Sequence, residues 1–196
     1  MRLNCCFKML EHSHKLNFLK KFYPNAKILW PVRNPHSTIS SMRNLVNSEG
    51  DWIDRCAIKE IERLQPFFRK ELENYNLSQL SKIELGSIYW LYKNQYPIWL
   101  KNYEFDVLEF KYETLIQNQK ETLEKITNFL GIDWSEDLLN FYQKNSGKSL
   151  AGGTRTDRPI NETRASNLKG ELNAEEINKI NLICQPVMQK YSYIKL

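Results

Sequence analysis

The chain reads as an α/β protein, a parallel sheet flanked by helices. Three observations carry that reading. The run KILWPV (Lys27–Val32) is apolar without alternation, which suits a strand covered on both faces. A second run, DVLEFKY (Asp106–Tyr112), has the length and composition of another strand. Around these runs, apolar residues recur at helical spacing, and strands alternating with helices build parallel sheets.

Element by element, NCCFKM (Asn4–Met9) reads as a short buried strand. KLNFLKKFY (Lys15–Tyr23) carries Leu16, Phe18, Leu19 and Phe22 at helical spacing, and Pro24–Asn25 breaks it. Pro31 within the next run marks the end of a strand or an edge. A helix starts at Asn34–Pro35, since Asn is a good N-cap and Pro is favoured at the first helical position. From Asp51 to Tyr103 the pattern is helical throughout. Two helices are expected there, with Pro66 and Pro97 as kinks or breaks and the aromatic residues in the core. LIQNQKETLEKITNFLG reads as a helix stopped by Gly131. SEDLLNFYQK reads as another, capped by Ser135. A polar, basic loop spans Asn145 to Lys169. The last helix starts at the cap Asn173, with acidic residues in its first turn.

The 196 residues suit one domain, 1–196, and 41% apolar content is enough for a real core. The net charge of +5 fits an anionic small ligand, an acidic polymer, or simply solvated lysines alternating with glutamates. No motif points to nucleic acid as a partner. Cys5, Cys6, Cys56 and Cys184 form neither a CxxC pair nor a zinc spacing, so no metal and no disulfide framework is expected. There is no apolar run long enough to span a membrane and no signal-peptide core. Free thiols and this N-terminus together suggest a reducing, cytoplasmic compartment. Oligomeric state has no signature in the sequence.

The stretch AKILWPVRNPHSTISSM (Ala26–Met42) concentrates the chemistry. Ligands of open α/β sheets bind beyond the carboxyl ends of the strands, where Arg33 falls. The helix start that follows favours an anion. Ser37 and Ser41, four apart, share one helical face. An arginine fork, a helix start and a hydroxyl together suit a phosphate. The other reading is an arginine paired with a surface carboxylate and serines that merely cap.

VRNPHSTISS resembles a cofactor-binding motif of the sulfotransferases: an apolar strand, then R-D-P, with a serine eight positions after the arginine. Arg33 and Ser41 keep that spacing, and Asn34 replaces the usual Asp. Three further stretches agree in order. FKMLEHSHKLNFLKKFYPNAKIL is similar to the family's K-x-P-E-H segment and following helix, with Lys8, Glu11 and His12 matching and Leu10 in place of Pro. VLEFKYETLIQNQKETLEKITNFLGIDW is similar to R-Y-E-D-L, a helix, FLG and a Trp. Here Tyr112, Glu113, Leu115, Phe129, Leu130, Gly131 and Trp134 match, and Lys111 takes the Arg place. The closing segment from Thr163 resembles the family's basic loop and last helix.

The resemblance implies a P-loop-like three-layer α/β sandwich. It implies 3′-phosphoadenylyl sulfate as the sulfo donor, with Arg33 and Ser41 on its 3′-phosphate. It places Tyr112 near the adenine or ribose. Arg158 and Arg164, with Arg155 less clearly, lie in the basic loop where by position they would close over the 3′-phosphate; the other reading is surface arginines. His12 would be the general base for the acceptor, Glu11 a second candidate or the group orienting His12, and Lys8 would sit near the leaving group. His14 and His36 are expected at the surface. The acceptor is a hydroxyl or amine of a carbohydrate, lipid, protein tyrosine or small metabolite, on a cleft shaped by the helical segment 51–103.

The family's first strand and its G-x-x-R-S-G-T/S phosphate loop do not occur in the sequence. SGKSLAGG at Ser146 has Gly147-Lys148-Ser149, but Tyr142 stands where the first glycine belongs and a helix precedes it, so it reads as a loop. Sulfo transfer needs positive charge and oriented N–H donors around the transferring group. Three explanations stay open: the fold is N-terminally incomplete as a piece of a longer protein, another loop or chain completes the site, or the protein binds without catalysing. A sulfotransferase is thus the first reading, a non-catalytic nucleotide-binding or interaction protein the second. A nucleotide kinase would need a phosphate-loop lysine and metal-binding carboxylates, and the sequence shows neither.

Overall fold

The computed structural model describes residues 15–144, 159 and 172–196. The strand expected at Asn4–Met9 and nearly all of the basic loop lie outside the described residues.

The two expected strands form, and they pair with each other. β1 (Lys27–Val32) and β2 (Asp106–Lys111) run parallel, in a register from Lys27 against Asp106 to Val32 against Lys111. Side chains alternate between the faces of a strand. Ile28, Trp30 and Val32 therefore share one face with Val107, Glu109 and Lys111. On that face Trp30 stacks against Tyr96, and Glu109 meets Lys190 and Tyr191. On the other face, Lys27 Nζ donates to the carbonyl of Phe129, 2.6 Å away. Helices thus flank both faces, but the strands are not fully covered among the described residues. Trp30 and Val32 are buried, whereas Leu29, Leu108 and Phe110 are half-buried and Pro31 is exposed. This is less cover than the unbroken apolar run predicts.

α1 (Leu16–Phe22) buries only Leu16 and Leu19; Phe18 and Phe22, counted in its apolar stripe, are exposed and pack against each other. α2 (Pro35–Arg43) starts as expected, with the Asn34 side chain accepting from the Ser37 N–H. The segment 51–103 is more broken than two helices. It comprises a π-turn over Ile53–Ala57, α3 (Ile58–Leu64), a four-residue α4 (Arg69–Leu72), a 3₁₀ turn over Leu77–Gln79, α5 (Lys82–Gln95) and α6 (Pro97–Asn102). Pro66 and Pro97 account for two of the breaks. A proline ring clashes with the preceding helical turn, so α3 ends two residues before one and α6 begins on the other.

After β2, the expected single helix divides at Asn118 into α7 (Tyr112–Gln117) and α8 (Gln119–Leu130). Gly131 ends α8 in the left-handed region at φ 73°. SEDLLNFYQK is not an α-helix: it makes two 3₁₀ turns, Glu136–Leu138 and Phe141–Lys144. The Ser135 hydroxyl accepts from Asp137 N only two residues on, and no residue of either turn is buried, so nothing sustains a longer helix. α9 (Ala174–Lys190) carries the expected cap, with reciprocal bonds between Asn173 and Glu176.

The core lies between α5, α9, α2 and the sheet. Gly86 and Ser87 keep α5 slim enough for close packing. A Cβ on Gly86 would fall 3.2 Å from Ile53 and 3.3 Å from Ile39. The buried Cys184 of α9 donates to the carbonyl of Ser87. The aromatic residues of 51–103 are core, as expected: Trp90, Tyr92 and Tyr96 are buried, and Phe67 meets Tyr96 edge-on at 4.9 Å. No described helix is long and apolar enough to cross a membrane.

Candidate functional site

The parallel register brings the ends of β1 and β2 side by side, because Val32 lies opposite Lys111. The next residue of each strand is a candidate. Arg33 leaves β1 half-buried, and Tyr112 opens α7. The Arg33 guanidinium lies over the Tyr112 ring, 5.5 Å from its centroid, a cation–π contact. Arg33 Nε is buried. Lys111 places its ammonium 4.5 Å from the centre of the Tyr193 ring. Two cations therefore stand at the strand tips, each against an aromatic face.

The turn between Arg33 and α2 is held from several directions. Trp90 Nε1 donates to the carbonyl of Arg33 at 2.9 Å. Asn34 N donates to Glu113 Oε1 at 2.8 Å. The Tyr193 hydroxyl reaches both the Val32 carbonyl, at 3.0 Å, and Glu113 Oε2, at 2.7 Å. Burial, then the hydrogen bond to Glu113, pushes the Tyr193 phenol far above its ordinary range, so it stays a proton donor.

Ser41 sits on the second turn of α2 and is exposed, whereas Ser37 and Ser40 are buried. Ser37 and Ser41 lie close in helical angle, as expected four apart on α2, but on opposite sides of the burial boundary. His36 is a correction. Far from the surface, it has no exposure; Nε2 lies 3.0 Å from Asn181 Oδ1 and Nδ1 3.3 Å from Asn34 Oδ1. Burial lowers its pKa, only partly opposed by the bond to Asn181, so the ring stays neutral. Asn181 in turn donates to the carbonyl of Leu196.

Lys8, Glu11, His12, His14, Arg155, Arg158 and Arg164 lie outside the described residues. The structure thus brings together Arg33 and Tyr112 at one end of the sheet, with Ser41 farther along α2. Glu113, Trp90, Asn181 and Tyr193 were not expected at the site. Glu113 had a signal, since it follows Tyr112 at a helix start. Trp90 and Tyr193 had none, being remote in sequence. Among the described residues no group of His, Cys, Asp and Glu is arranged to hold a metal. An open groove of about 490 Å³ lies between α1 and the segment 51–103, lined by Lys15, Phe18, Arg63, Phe67, Trp99 and Tyr103 among others.

Cationic and aromatic side chains thus stand at the carboxyl ends of parallel strands, next to a helix start, in an α/β fold. A family model described as "Sulfotransferase family" matches residues 2–136, more than half of the chain, and the chain belongs to that family. A solved structure, "Sulfotransferase Domain from the Curacin Biosynthetic Pathway", is similar with a TM-score of 0.60 at 18% identity, over 94% of this chain and 61% of that one. At that identity the likeness shows the fold, and the chain spans about three fifths of that domain's length. No curated protein matches the chain.

Proposed function

We propose that the protein binds 3′-phosphoadenylyl sulfate and transfers its sulfo group to a hydroxyl or amine acceptor. The observation that carries this reading is Arg33, braced on the Tyr112 ring at the carboxyl end of the parallel pair and followed at once by the capped start of α2. The Arg33 fork takes two oxygens of the 3′-phosphate, the helix start adds its dipole, and the exposed Ser41 hydroxyl adds a donor. Tyr112 flanks the nucleoside. Arg158 and Arg164 close over the phosphate from the basic loop.

In the transfer, an acceptor O–H or N–H attacks sulfur in line and gives its proton to His12, oriented by Glu11. The sulfur–oxygen bond to the donor's phosphate breaks, and adenosine 3′,5′-bisphosphate leaves beside Lys8. The acceptor side is placed on segment 51–103 by analogy of fold alone.

The alternative is nucleotide binding without transfer. Titration calorimetry with adenosine 3′,5′-bisphosphate tests the shared part. Micromolar affinity is expected, falling about a hundredfold in Arg33→Ala and about fivefold in Ser41→Ala, as for a lost charged and a lost neutral hydrogen bond. A folded wild-type chain that does not bind refutes the site. A binding chain that releases no adenosine 3′,5′-bisphosphate from the donor, with any acceptor class, selects the alternative.

A further inference from the structure

Three consecutive residues around Arg33 have a backbone group held by a side chain from another element. Val32 O accepts from Tyr193, Arg33 O from Trp90, and Asn34 N donates to Glu113. Tyr193 and Glu113 are one unit, because the phenol's single proton is shared between the strand-tip carbonyl and the carboxylate. Tyr193 is 161 residues from Val32 in sequence and lies just past the last helix.

Its approach is built by a strained turn. Ser192 takes φ 52°, the left-handed region that favours glycine, and Tyr193 N then donates to the carbonyl of Met188 at 2.8 Å. That reversal aims the ring at the strand tips, where it also meets Trp90 edge-on. A non-glycine residue keeps such a conformation only where its surroundings demand it.

We propose that Tyr193 is a positioning residue for the strand-tip site. Through the Val32 carbonyl and Glu113 it fixes the turn that aims the Arg33 guanidinium, so the anionic ligand meets a pre-oriented arginine. The inference rests on the 3′-phosphate site proposed for Arg33. A pre-oriented group loses less freedom on binding, so its removal appears in affinity.

The test combines two readouts on Tyr193→Phe, which keeps the ring and deletes the hydroxyl. In calorimetry with adenosine 3′,5′-bisphosphate, Y193F should bind about tenfold more weakly than wild type. In an Arg33→Lys background, where no planar fork remains to be aimed, the same change should cost less than about twofold. Wild-type affinity in Y193F, or an equal loss in both backgrounds, overturns the proposal. A merely structural tyrosine would lower the urea midpoint in both backgrounds and leave the affinity of the folded protein unchanged. The second readout needs no ligand: ¹⁵N relaxation of the Arg33 Nε–Hε group. It should be restrained in wild type and looser in Y193F; equal mobility overturns the proposal. If wild type binds no nucleotide, the phosphate site fails, and the relaxation result alone decides whether Tyr193 orders Arg33.

Discussion

His36 is two residues past the strand-tip turn and has no contact with solvent. Its depressed pKa, caused chiefly by burial, makes a definite pH signature. The unfolded chain takes up a proton near pH 6.5 while the folded ring resists it, so below that pH the unfolded state binds more protons. The contribution is therefore complete above about pH 6.5 and is lost as the pH falls toward the folded value. Urea midpoints at pH 7.5 and 5.5 should show wild type weakening on acidification. His36→Gln should show a smaller loss over the same interval. Parallel losses in the two proteins would mean that His36 does not titrate as a buried neutral ring.

Trp90 makes a second prediction at this scale. Its indole N–H is the partner of the Arg33 carbonyl. Trp90→Phe keeps the aromatic bulk but leaves that carbonyl only the longer bond from the Thr38 hydroxyl at 3.5 Å, at a cost of about 1 kcal/mol. The check is a fall in urea midpoint with an unchanged denaturant slope.

Two elements end in the same way. α8 closes at Gly131, with Ile132 N donating to the Thr127 carbonyl, and α9 closes at Ser192, with Tyr193 N donating to Met188. Both use a left-handed residue at the cap, at φ 73° and φ 52°. One is a glycine and the other is not, so opposite substitutions should have opposite effects. Gly131→Ala should cost about 1 kcal/mol, since a side chain there is strained even though the nearest atom to its Cβ, the Lys27 ammonium nitrogen, is 3.8 Å away. Ser192→Gly should stabilise by about 0.5–1 kcal/mol, because relief of the strain exceeds the added freedom of the unfolded chain. Thermal melts of the pair would decide it.

At the scale of the whole molecule, the last helix is tied to the sheet by one carboxylate. Glu109 of β2 receives Lys101 from α6, Lys190 from the end of α9 and the hydroxyl of Tyr191. Burial works against its charge, but those three hydrogen bonds outweigh it and hold the carboxyl below its ordinary range. Glu109→Ala should destabilise by about 2 kcal/mol, because it leaves the half-buried Tyr191 hydroxyl without its acceptor and severs α6 and the end of α9 from β2. The two lysines, about half exposed, can rehydrate, which keeps the cost below that of a fully buried pair. At the other end of α9, Glu176 pairs with Arg43 of α2 at 2.7 Å. The helix that carries Tyr193 is thus fastened at both ends to the elements bearing the site.

The sequence by itself determined the two strands, the caps of α2 and α9, the stop at Gly131 and the family, because each rests on neighbours along the chain. Arg33 was legible for the same reason: a strand ending, an arginine and a helix cap follow one another directly. Tertiary structure alone decided that β1 and β2 pair, that Arg33 leans on Tyr112, and that His36 is buried. It also decided that Trp90, Glu113 and Tyr193 converge on one turn. These contacts join residues 57 to 161 positions apart. Periodicity shows which side of an element is apolar, but not which element will cover it. The 3₁₀ turns over 136–144 were missed for the converse reason: a local pattern suited to a helix found no core to pack against.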